Sequence, residues 1–109
     1  MSKTGIEIIA EERQRQIEKE GWSKEHDMHY IYNELSLAAV CYALPKPERD
    51  RLSHKFKTGV NSRVWLPSLW PWHHKCWKPT PDDRIRELAK AGALIAAEID
   101  VQLELKKKE

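Results

Sequence analysis

The sequence predicts an all-α protein, a small bundle of three to four helices that forms one domain over residues 1–109. Three observations support this fold class. Capping residues precede three segments with helical apolar periodicity, glycine and proline follow the first two of these segments, and no segment shows strand alternation. At 109 residues the chain can bury a sizeable core without disulfides. A long tryptophan- and proline-rich connection, residues 65–81, joins the second and third predicted helices.

The first helix is predicted over residues 5–20. Thr4 and Glu7 have the spacing of a capping box, and Gly21 supplies the left-handed residue that commonly ends a helix. Its apolar stripe consists of Ile6, Ile9, Ala10 and Ile17. The polar side chains that fill the rest of its circumference predict contacts with neighbouring helices as well as with water.

The second helix is predicted to run without interruption from an N-cap at Ser23 to Leu44. Acidic residues in its first turn suit the positive end of the helix dipole, and Pro45 and Pro47 end it. Its predicted buried face consists of Met28, Ile31, Leu35, Ala38, Ala39 and Tyr42.

The third helix is predicted from Thr80 as N-cap, with Pro81 at the first helical position, to about Leu105. Its stripe of larger apolar residues and glycine comprises Ile85, Leu88, Gly92, Ile95, Ile99 and Leu103. Alanines on both sides of this stripe allow close helix contacts on more than one side. Because this is more apolar surface than one partner helix needs, the sequence predicts a homo-oligomer formed through the C-terminal helix.

The connection between the second and third helices divides into two parts. Residues 46–63 are basic and predict a mobile loop, either simply solvated or able to face phosphates. Residues 65–81 hold four of the five tryptophans and predict an ordered segment packed on the helices, with the part from Trp70 to Pro79 near Glu34. Its tryptophans either plug the core or stack on nucleobases.

Composition and targeting signals exclude several classes of protein. No segment reaches the roughly 18 apolar residues of a membrane span, and no apolar signal segment follows Met1. Cys41 and Cys76 do not form a Cys-x-x-Cys pair, which favours free thiols in a reducing cytoplasm. The net charge of +2 is too small to indicate a strongly basic nucleic-acid binder.

Acidic residues are the main candidates for chemistry. Asp27, Glu34 and Cys41 are seven residues apart and would line one edge of a continuous second helix. Carboxylates that converge from several helices can hold Mg²⁺. Helix-dipole compensation by Asp27 and an ion pair between Glu34 and an arginine of the first helix are the structural alternatives. His26, His29, His73, His74 and Cys76 lack a recognised zinc-binding spacing.

Several short segments together resemble a family of small proteins of tailed phages and prophages. These segments are Glu12-Arg13-Gln14-Arg15-Gln16, Glu20-Gly21-Trp22, Glu25-His26-Asp27, Glu34-Leu35 with Ala38-Ala39 and Tyr42, Trp70-Pro71-Trp72, Trp77-Lys78-Pro79, and Lys90-Ala91-Gly92-Ala93-Leu94 with Glu98. They cover most of the chain outside residues 45–63. The resemblance places the protein in the cytoplasm of a bacterial host.

A remoter resemblance is to MazG-like nucleoside triphosphate pyrophosphohydrolases, all-α enzymes that use Mg²⁺. It implies Glu34 and Asp27 as catalytic residues, and Glu12, Asp27, Glu34 and Glu98 as metal ligands. It also implies a substrate site formed by Arg13, Gln16, His26, Trp72, Trp77, Lys78 and Lys90. The chain departs from that family's later Glu-x-x-Asp motif, since Glu87-Leu88-Ala89-Lys90 ends in a lysine.

Other functions remain open from the sequence. The same residues could bind a nucleotide without cleaving it, as a phage protein that sequesters a host defence signal would. The basic segment 46–63 could instead serve an inhibitor that binds nucleic acid or another protein. The expected partners are therefore a nucleotide or nucleotide-derived molecule and a second copy of the chain, with nucleic acid less well supported and no membrane.

Overall fold

A computed structural model describes residues 2–22, 24–29, 33–57 and 63–108, and this part of the chain is mostly helical, as predicted. The helices are α1 (Gly5–Glu20), α2 (Lys24–Asp27), α3 (Glu34–Ala43), α4 (Lys46–Arg51) and α5 (Arg84–Lys107). Two short strands, β1 (Ser53–Lys57) and β2 (Arg63–Pro67), and a 3-10 turn at His74–Cys76 lie between α4 and α5. No helix in the described ranges is long and apolar enough to cross a membrane.

Helix α1 has the predicted boundaries. The Thr4 side chain accepts a hydrogen bond from the Glu7 backbone N–H, and the Glu7 carboxylate accepts one from the Thr4 N–H. At the other end Gly21 has a φ of 72° and its N–H bonds the Gln16 carbonyl. Each cap satisfies backbone groups that a helix end leaves without partners.

The prediction of one continuous second helix is wrong. Helix α2 ends at Asp27, Met28 and His29 form a turn, and α3 begins at Glu34. Asn33 has a φ of 71°, a left-handed conformation that the interior of a right-handed helix does not accept. Asp27 and Glu34 therefore lie on different helices and do not share one edge. Ile31, predicted for the buried face, lies outside the described residues.

The prediction of an unstructured segment at residues 46–63 is also wrong for its described part. Pro45 is the N-cap of α4, and β1 pairs with β2 in an antiparallel hairpin whose register runs from Ser53 opposite Pro67 to Lys57 opposite Arg63. A hydrogen bond of 2.8 Å from the Ser68 N–H to the Leu52 carbonyl closes the base of this hairpin. Mobility of the segment stays a prediction, and residues 58–62 lie outside the described ranges.

Helix α5 begins three residues later than predicted. The Asp83 side chain, rather than Thr80, is the N-cap and accepts from the Arg86 N–H at 3.0 Å. Thr80 instead belongs to a turn, since its carbonyl accepts from the Asp83 N–H at 2.9 Å. The Thr80 N–H donates to the Glu87 carboxylate at 3.0 Å, which holds this turn against the helix that follows.

The core lies between α3 and α5, and α1 packs on a second side of α5. The predicted buried face of α3 is confirmed for Leu35, Ala38, Ala39 and Tyr42. On α5 the residues that enter this core are mainly small: Ala91, Leu94, Ala97 and Val101. Five larger aliphatic residues of α5 remain exposed, so the helix carries more apolar surface than its neighbours in the described chain cover.

An ion pair and a set of carbonyl contacts tie α3 and α4 to the start of α5. Arg49 donates two hydrogen bonds to the Glu87 carboxylate, at 2.7 and 2.8 Å, and both side chains are buried. The Arg84 guanidinium donates to the last carbonyls of α3 and its C-cap, those of Tyr42, Ala43 and Leu44. These contacts satisfy acceptors that the end of α3 would otherwise leave unpaired.

The aromatic segment is ordered on the helices, as predicted. Trp70 is buried and packs edge-on against Tyr42, with ring centroids 5.7 Å apart. Trp77 packs against both Tyr42, at 4.8 Å, and Trp70, at 4.9 Å, and Trp72 lies 6.3 Å from Trp22, just after α1. The segment therefore packs on Tyr42 in the C-terminal part of α3, while Trp72 and Cys76 share a cavity with Leu35, the residue after Glu34.

Candidate functional site

A pocket of about 200 Å³ lies where α1, α3 and α5 meet the aromatic segment. Its walls combine charged side chains with the aromatic and aliphatic surface of the core. The residues that line it are Glu12, Arg15, Gln16, Glu20, Trp22, Tyr42, Lys75, Cys76, Lys78, Lys90 and Leu94. Four of these are cationic and two are carboxylates, so the pocket as a whole favours an anion.

The wall formed by α1 consists of residues three or four positions apart, which therefore share one face of the helix. Glu12 is buried and accepts hydrogen bonds from Arg15 Nη2 at 2.7 Å and from Arg15 Nε at 2.9 Å. Arg15 also reaches the Glu20 carboxylate at 3.3 Å. The hydrogen bonds to Glu12 raise the pKa of Arg15 above its ordinary value, so this side chain is a permanent cation.

Gln16 brings an unsatisfied acceptor to the pocket. Its side chain is 1% exposed, and Nε2 donates a long hydrogen bond of 3.4 Å to Glu12. Within the described ranges Oε1 is buried and has no hydrogen-bond partner. A buried acceptor without a donor costs stability, so this oxygen would gain from a ligand that supplies an N–H or O–H group.

Lys90 places a buried cation in the wall formed by α5. Its residue is 8% exposed, and Nζ donates to the Lys78 carbonyl at 2.8 Å. Nζ also lies 5.3 Å from the centre of the Tyr42 ring. Burial lowers the pKa of Lys90, and the positive charges of Arg86 and Arg15 contribute to the same shift. A ligand anion at this position would stabilise the charged ammonium.

A second, more aromatic cavity of about 160 Å³ adjoins the first and shares Trp22 and Cys76 with it. Its other lining residues are His26, Asp27, Leu35 and Trp72. The rings of Trp22 and Trp72 are inclined at 55° to each other. The two cavities together therefore offer a charged compartment next to an aromatic one.

Asp27, predicted to be catalytic, is 1% exposed and already paired. Arg13 Nη2 donates to one of its oxygens at 2.8 Å, and His26 Nδ1 lies 3.3 Å from the other. Arg13 also donates to the Trp22 carbonyl at 3.1 Å and lies 3.8 Å from Asp100. Arg13 thus links α1 to α2 and α5, a structural role for a residue predicted to bind substrate.

The four predicted metal ligands do not form one cluster. Glu12 is bonded to Arg15, whereas Glu98 accepts from Ser36 Oγ at 3.0 Å and Gln102 Nε2 at 3.3 Å. Glu34 is the first residue of α3. In the described part of the chain, no group of three or more acidic, histidine or cysteine residues could hold a metal ion. Mg²⁺ binding stays a prediction.

The structure brings together five of the seven predicted substrate-binding residues. Gln16, Lys78 and Lys90 line the charged pocket, and His26 and Trp72 line the aromatic cavity. Arg13 lies outside both linings, as does Trp77, which packs on Tyr42 and lies 5.4 Å from the Arg49 guanidinium.

Sequence reasoning missed several residues of the pocket. These are Arg15, Glu20, Trp22, Tyr42, Lys75, Cys76 and Leu94. A helical-wheel signal could have found the first two, because Glu12, Arg15 and Gln16 are three and four residues apart on α1 and Glu20 is four residues further. Lys75 and Cys76 reach the pocket through the fold of the aromatic segment, for which no local pattern exists.

Comparison of the chain with protein-family models, with curated proteins and with solved structures finds no match. The candidate site therefore rests on its own geometry.

Proposed function

We propose that the protein binds a phosphate-bearing nucleotide or nucleotide-derived molecule in the two adjoining cavities. The observation that carries this proposal is the arrangement of four cations around one pocket that continues into an aromatic cavity. Phosphate is recognised by lysine and arginine, and a nucleobase by aromatic surface. The two compartments match the two chemically distinct ends of a nucleotide.

The phosphate end belongs in the charged pocket. Lys90 lies on its inner wall and is held in place by the Lys78 carbonyl, while Lys75 and Lys78 are exposed. Arg15 remains oriented by Glu12 and Glu20 while its charge contributes to the pocket. A buried cation next to exposed ones favours an anion that enters from solvent and ends near Lys90.

The base belongs in the aromatic cavity, against the ring of Trp22 or Trp72. Stacking of a base on an aromatic ring contributes about 1–3 kcal/mol. Gln16 Oε1 lines the charged compartment and can accept a hydrogen bond from a ligand N–H or O–H group. The two cavities, of about 200 and 160 Å³, together reach the lower end of the range of about 300–1,000 Å³ that is typical of small-molecule pockets. Their combined volume suits a mononucleotide.

Binding without cleavage is the function that this geometry supports best. Asp27 and Glu12, which a MazG-like reaction would need as metal ligands, are each neutralised by an arginine. A Mg²⁺-dependent pyrophosphohydrolase using Asp27, Glu34, Glu12 and Glu98 is the alternative, and it requires these pairs to open when a nucleotide carries Mg²⁺ into the site. A binding protein of this kind would sequester a signal nucleotide in the cytoplasm of a phage-infected bacterium.

The basic segment 46–63, which includes α4 and part of the hairpin, supports a nucleic-acid function less well. Lys46 is paired with Asp50 at 2.6 Å, and Arg51 with Glu48 at 3.4 Å, so part of the positive charge of this region is already neutralised. Binding through this segment would weaken steeply with salt and would not depend on Lys90.

A nucleotide titration tests the proposal. Binding of mono-, di- and triphosphates is followed by tryptophan fluorescence, with and without Mg²⁺, and pyrophosphate release is measured in the same samples. Lys90→Met keeps the length of the side chain and removes its charge, so affinity should fall about 10–100-fold. Lys19→Met, an exposed lysine of α1 outside the pocket, serves as the control and should bind as the wild type does.

Each outcome of this titration has a meaning. Binding without pyrophosphate release supports the sequestering protein, and release with Mg²⁺ supports the hydrolase. If no nucleotide binds, or if Lys90→Met and Lys19→Met bind equally well, the proposed site is wrong.

A further inference from the structure

One side of α5 exposes large aliphatic side chains along nearly the whole helix. This outer stripe consists of Ile85, Leu88, Ile95, Ile99 and Leu103, whose residues are between 45% and 66% exposed. At about 100° per residue these positions fall within about 80° of the helix circumference, and they span about 27 Å along its axis. The stripe therefore runs along one side of the helix, with Gly92 between Leu88 and Ile95, and is straight enough for another helix to contact it on both sides of Gly92.

Helix α1 covers the outer stripe at one point, because Gly92 falls within the arc of the stripe. The Ile9 side chain lies over Gly92, and a methyl group added at Gly92 would be 2.5 Å from Ile9 Cδ1. Ile6, three residues earlier on the same side of α1, is 81% exposed. Monomeric soluble proteins rarely expose contiguous apolar surface of this extent, which generally marks an interaction site.

We propose that the outer stripe pairs with the outer stripe of a second copy of this chain, with the two α5 helices antiparallel. The stripe is nearly symmetric about a midpoint close to residue 94. Leu88 and Ile99 form one symmetric pair, and Ile85 and Leu103 form another. The midpoints of these two pairs differ by about half a residue along the sequence. A two-fold axis there brings Leu88 of one copy opposite Ile99 of the other and Ile85 opposite Leu103, while Ile95 packs near Gly92 of the other copy.

The charges at the two ends of α5 select the antiparallel orientation. Asp82 and Asp83 precede the helix, and Lys106, Lys107 and Lys108 end it, all of them exposed. Of the two arginines at the start of α5, Arg84 is bound to the carbonyls at the end of α3, and Arg86 lies about 100° around the helix from the stripe, so neither faces the partner. An antiparallel pair places the lysines of each copy beside the aspartates of the other, whereas a parallel pair would place like charges together. In the antiparallel pair the two helix dipoles also point in opposite directions, which is the favourable orientation for neighbouring helices.

The dimer leaves the candidate site accessible. Lys90 and Leu94 line the pocket and are buried on the other side of α5, away from the outer stripe. Self-association is therefore independent of nucleotide binding, and either proposal can fail without the other.

Analytical ultracentrifugation of the full chain tests the interface. The wild type should sediment as a dimer that dissociates on dilution, and Ile95→Lys, near the centre of the stripe, should weaken dimerisation at least about tenfold. Leu69→Lys is the matched control, since Leu69 is 44% exposed but lies in the turn after β2. A wild type that stays monomeric, or a dimer that survives Ile95→Lys as well as it survives Leu69→Lys, overturns the proposal.

A charge exchange tests the orientation. Asp82→Lys and Lys106→Asp should each weaken the dimer, because each places like charges together across the antiparallel interface. The double variant restores opposite charges and should recover much of the lost affinity. In a parallel dimer each of these positions faces the same position of the other copy, so neither single substitution creates an opposite-charge pair and the double variant should show no recovery. Absence of recovery in the double variant would overturn the antiparallel arrangement.

Discussion

The two sides of α5 have opposite characters, and each is the reverse of what a surface helix usually shows. The inner side, which faces α1, α3 and the aromatic segment, buries Glu87, Lys90 and Glu98. The outer side exposes five large aliphatic residues, among them Ile85 and Ile99. In most amphipathic helices the charged residues face water and the large aliphatic residues face the core.

The two sides of α5 make different kinds of contact. The inner side uses alanines for close contact with neighbouring helices, and each of its buried charges has a defined partner. Glu87 is held by Arg49, Glu98 accepts from Ser36, and Lys90 donates to a backbone carbonyl at the candidate pocket. The outer side has no such partners within the described chain, and its aliphatic residues suit association.

The largest expected effect on the inner side comes from Glu87→Gln. This substitution leaves the buried Arg49 guanidinium without its counter-charge, which should reduce the free energy of unfolding by about 3–5 kcal/mol. Urea denaturation measures the loss. Glu104→Gln, which removes the acid of a solvent-accessible pair with Lys107, should cost less than about 1 kcal/mol. Equal losses in the two variants would show that the Arg49–Glu87 pair is not a structural anchor.

The same carboxylate gives the protein an acid-sensitive stability. Burial would raise the pKa of Glu87, but the hydrogen bonds and charge of Arg49, with the Thr80 N–H, lower it below its ordinary value of 4.5. The stabilisation that ionised Glu87 provides is therefore complete at pH values above its ordinary pKa, and it is lost as the pH falls through its lowered pKa. Thermal unfolding of the wild type from pH 7 downward should show this decline, and Glu87→Gln should show less of it.

A matched pair of leucines compares the two sides directly. Leu94 is 1% exposed on the inner side, and Leu94→Ala should cost about 2–5 kcal/mol because it opens a cavity in the core. Leu103 is 53% exposed on the outer side, and Leu103→Ala should cost less than about 1 kcal/mol in the monomer. Denaturation at low protein concentration separates the two, and comparable losses would contradict the assignment of inner and outer sides.

Gly92 lies within the outer side, where Ile9 of α1 packs over it, and has a smaller predicted effect. An added methyl group would contact Ile9 at 2.5 Å, so Gly92→Ala should destabilise the packing of α1 on α5 by about 1–3 kcal/mol. Gly5→Ala provides the control because nothing lies within 4 Å of its added methyl group, and it should be neutral or slightly stabilising. A stable Gly92→Ala protein would mean that Ile9 can move away at little cost.

Local signals predicted the parts of the fold that depend on local chemistry. The capping box at Thr4 and Glu7, the glycine cap at Gly21 and the buried face of α3 were all evident in the sequence and are confirmed. The break before α3 depends on the left-handed Asn33, and Asn in that conformation leaves no periodic signature. Asp83 rather than Thr80 caps α5, because Thr80 is held in a turn by a hydrogen bond from its N–H to the carboxylate of Glu87, seven residues away.

The candidate site was harder to predict, since its residues come together through the tertiary fold. Lys90 and Gln16 were expected to contact substrate, and both line the pocket, but the expected carboxylate cluster depended on a continuous second helix that does not exist. Arg13 was expected at the phosphate and instead neutralises Asp27. Spacing along a helix identifies residues that share a face, but it does not show which carboxylate is already paired with an arginine.

The most direct test of the candidate site is a nucleotide titration followed by nitrogen–proton NMR of tryptophan indoles and glutamine side chains. Binding in the two cavities should produce saturable shifts at Trp22, Trp72 and the Gln16 amide. The Trp70 indole, whose N–H donates to the His73 carbonyl at 3.1 Å, should change little. Shifts confined to the β1–β2 hairpin, or the absence of saturable shifts with every nucleotide, would contradict a nucleotide site in these cavities.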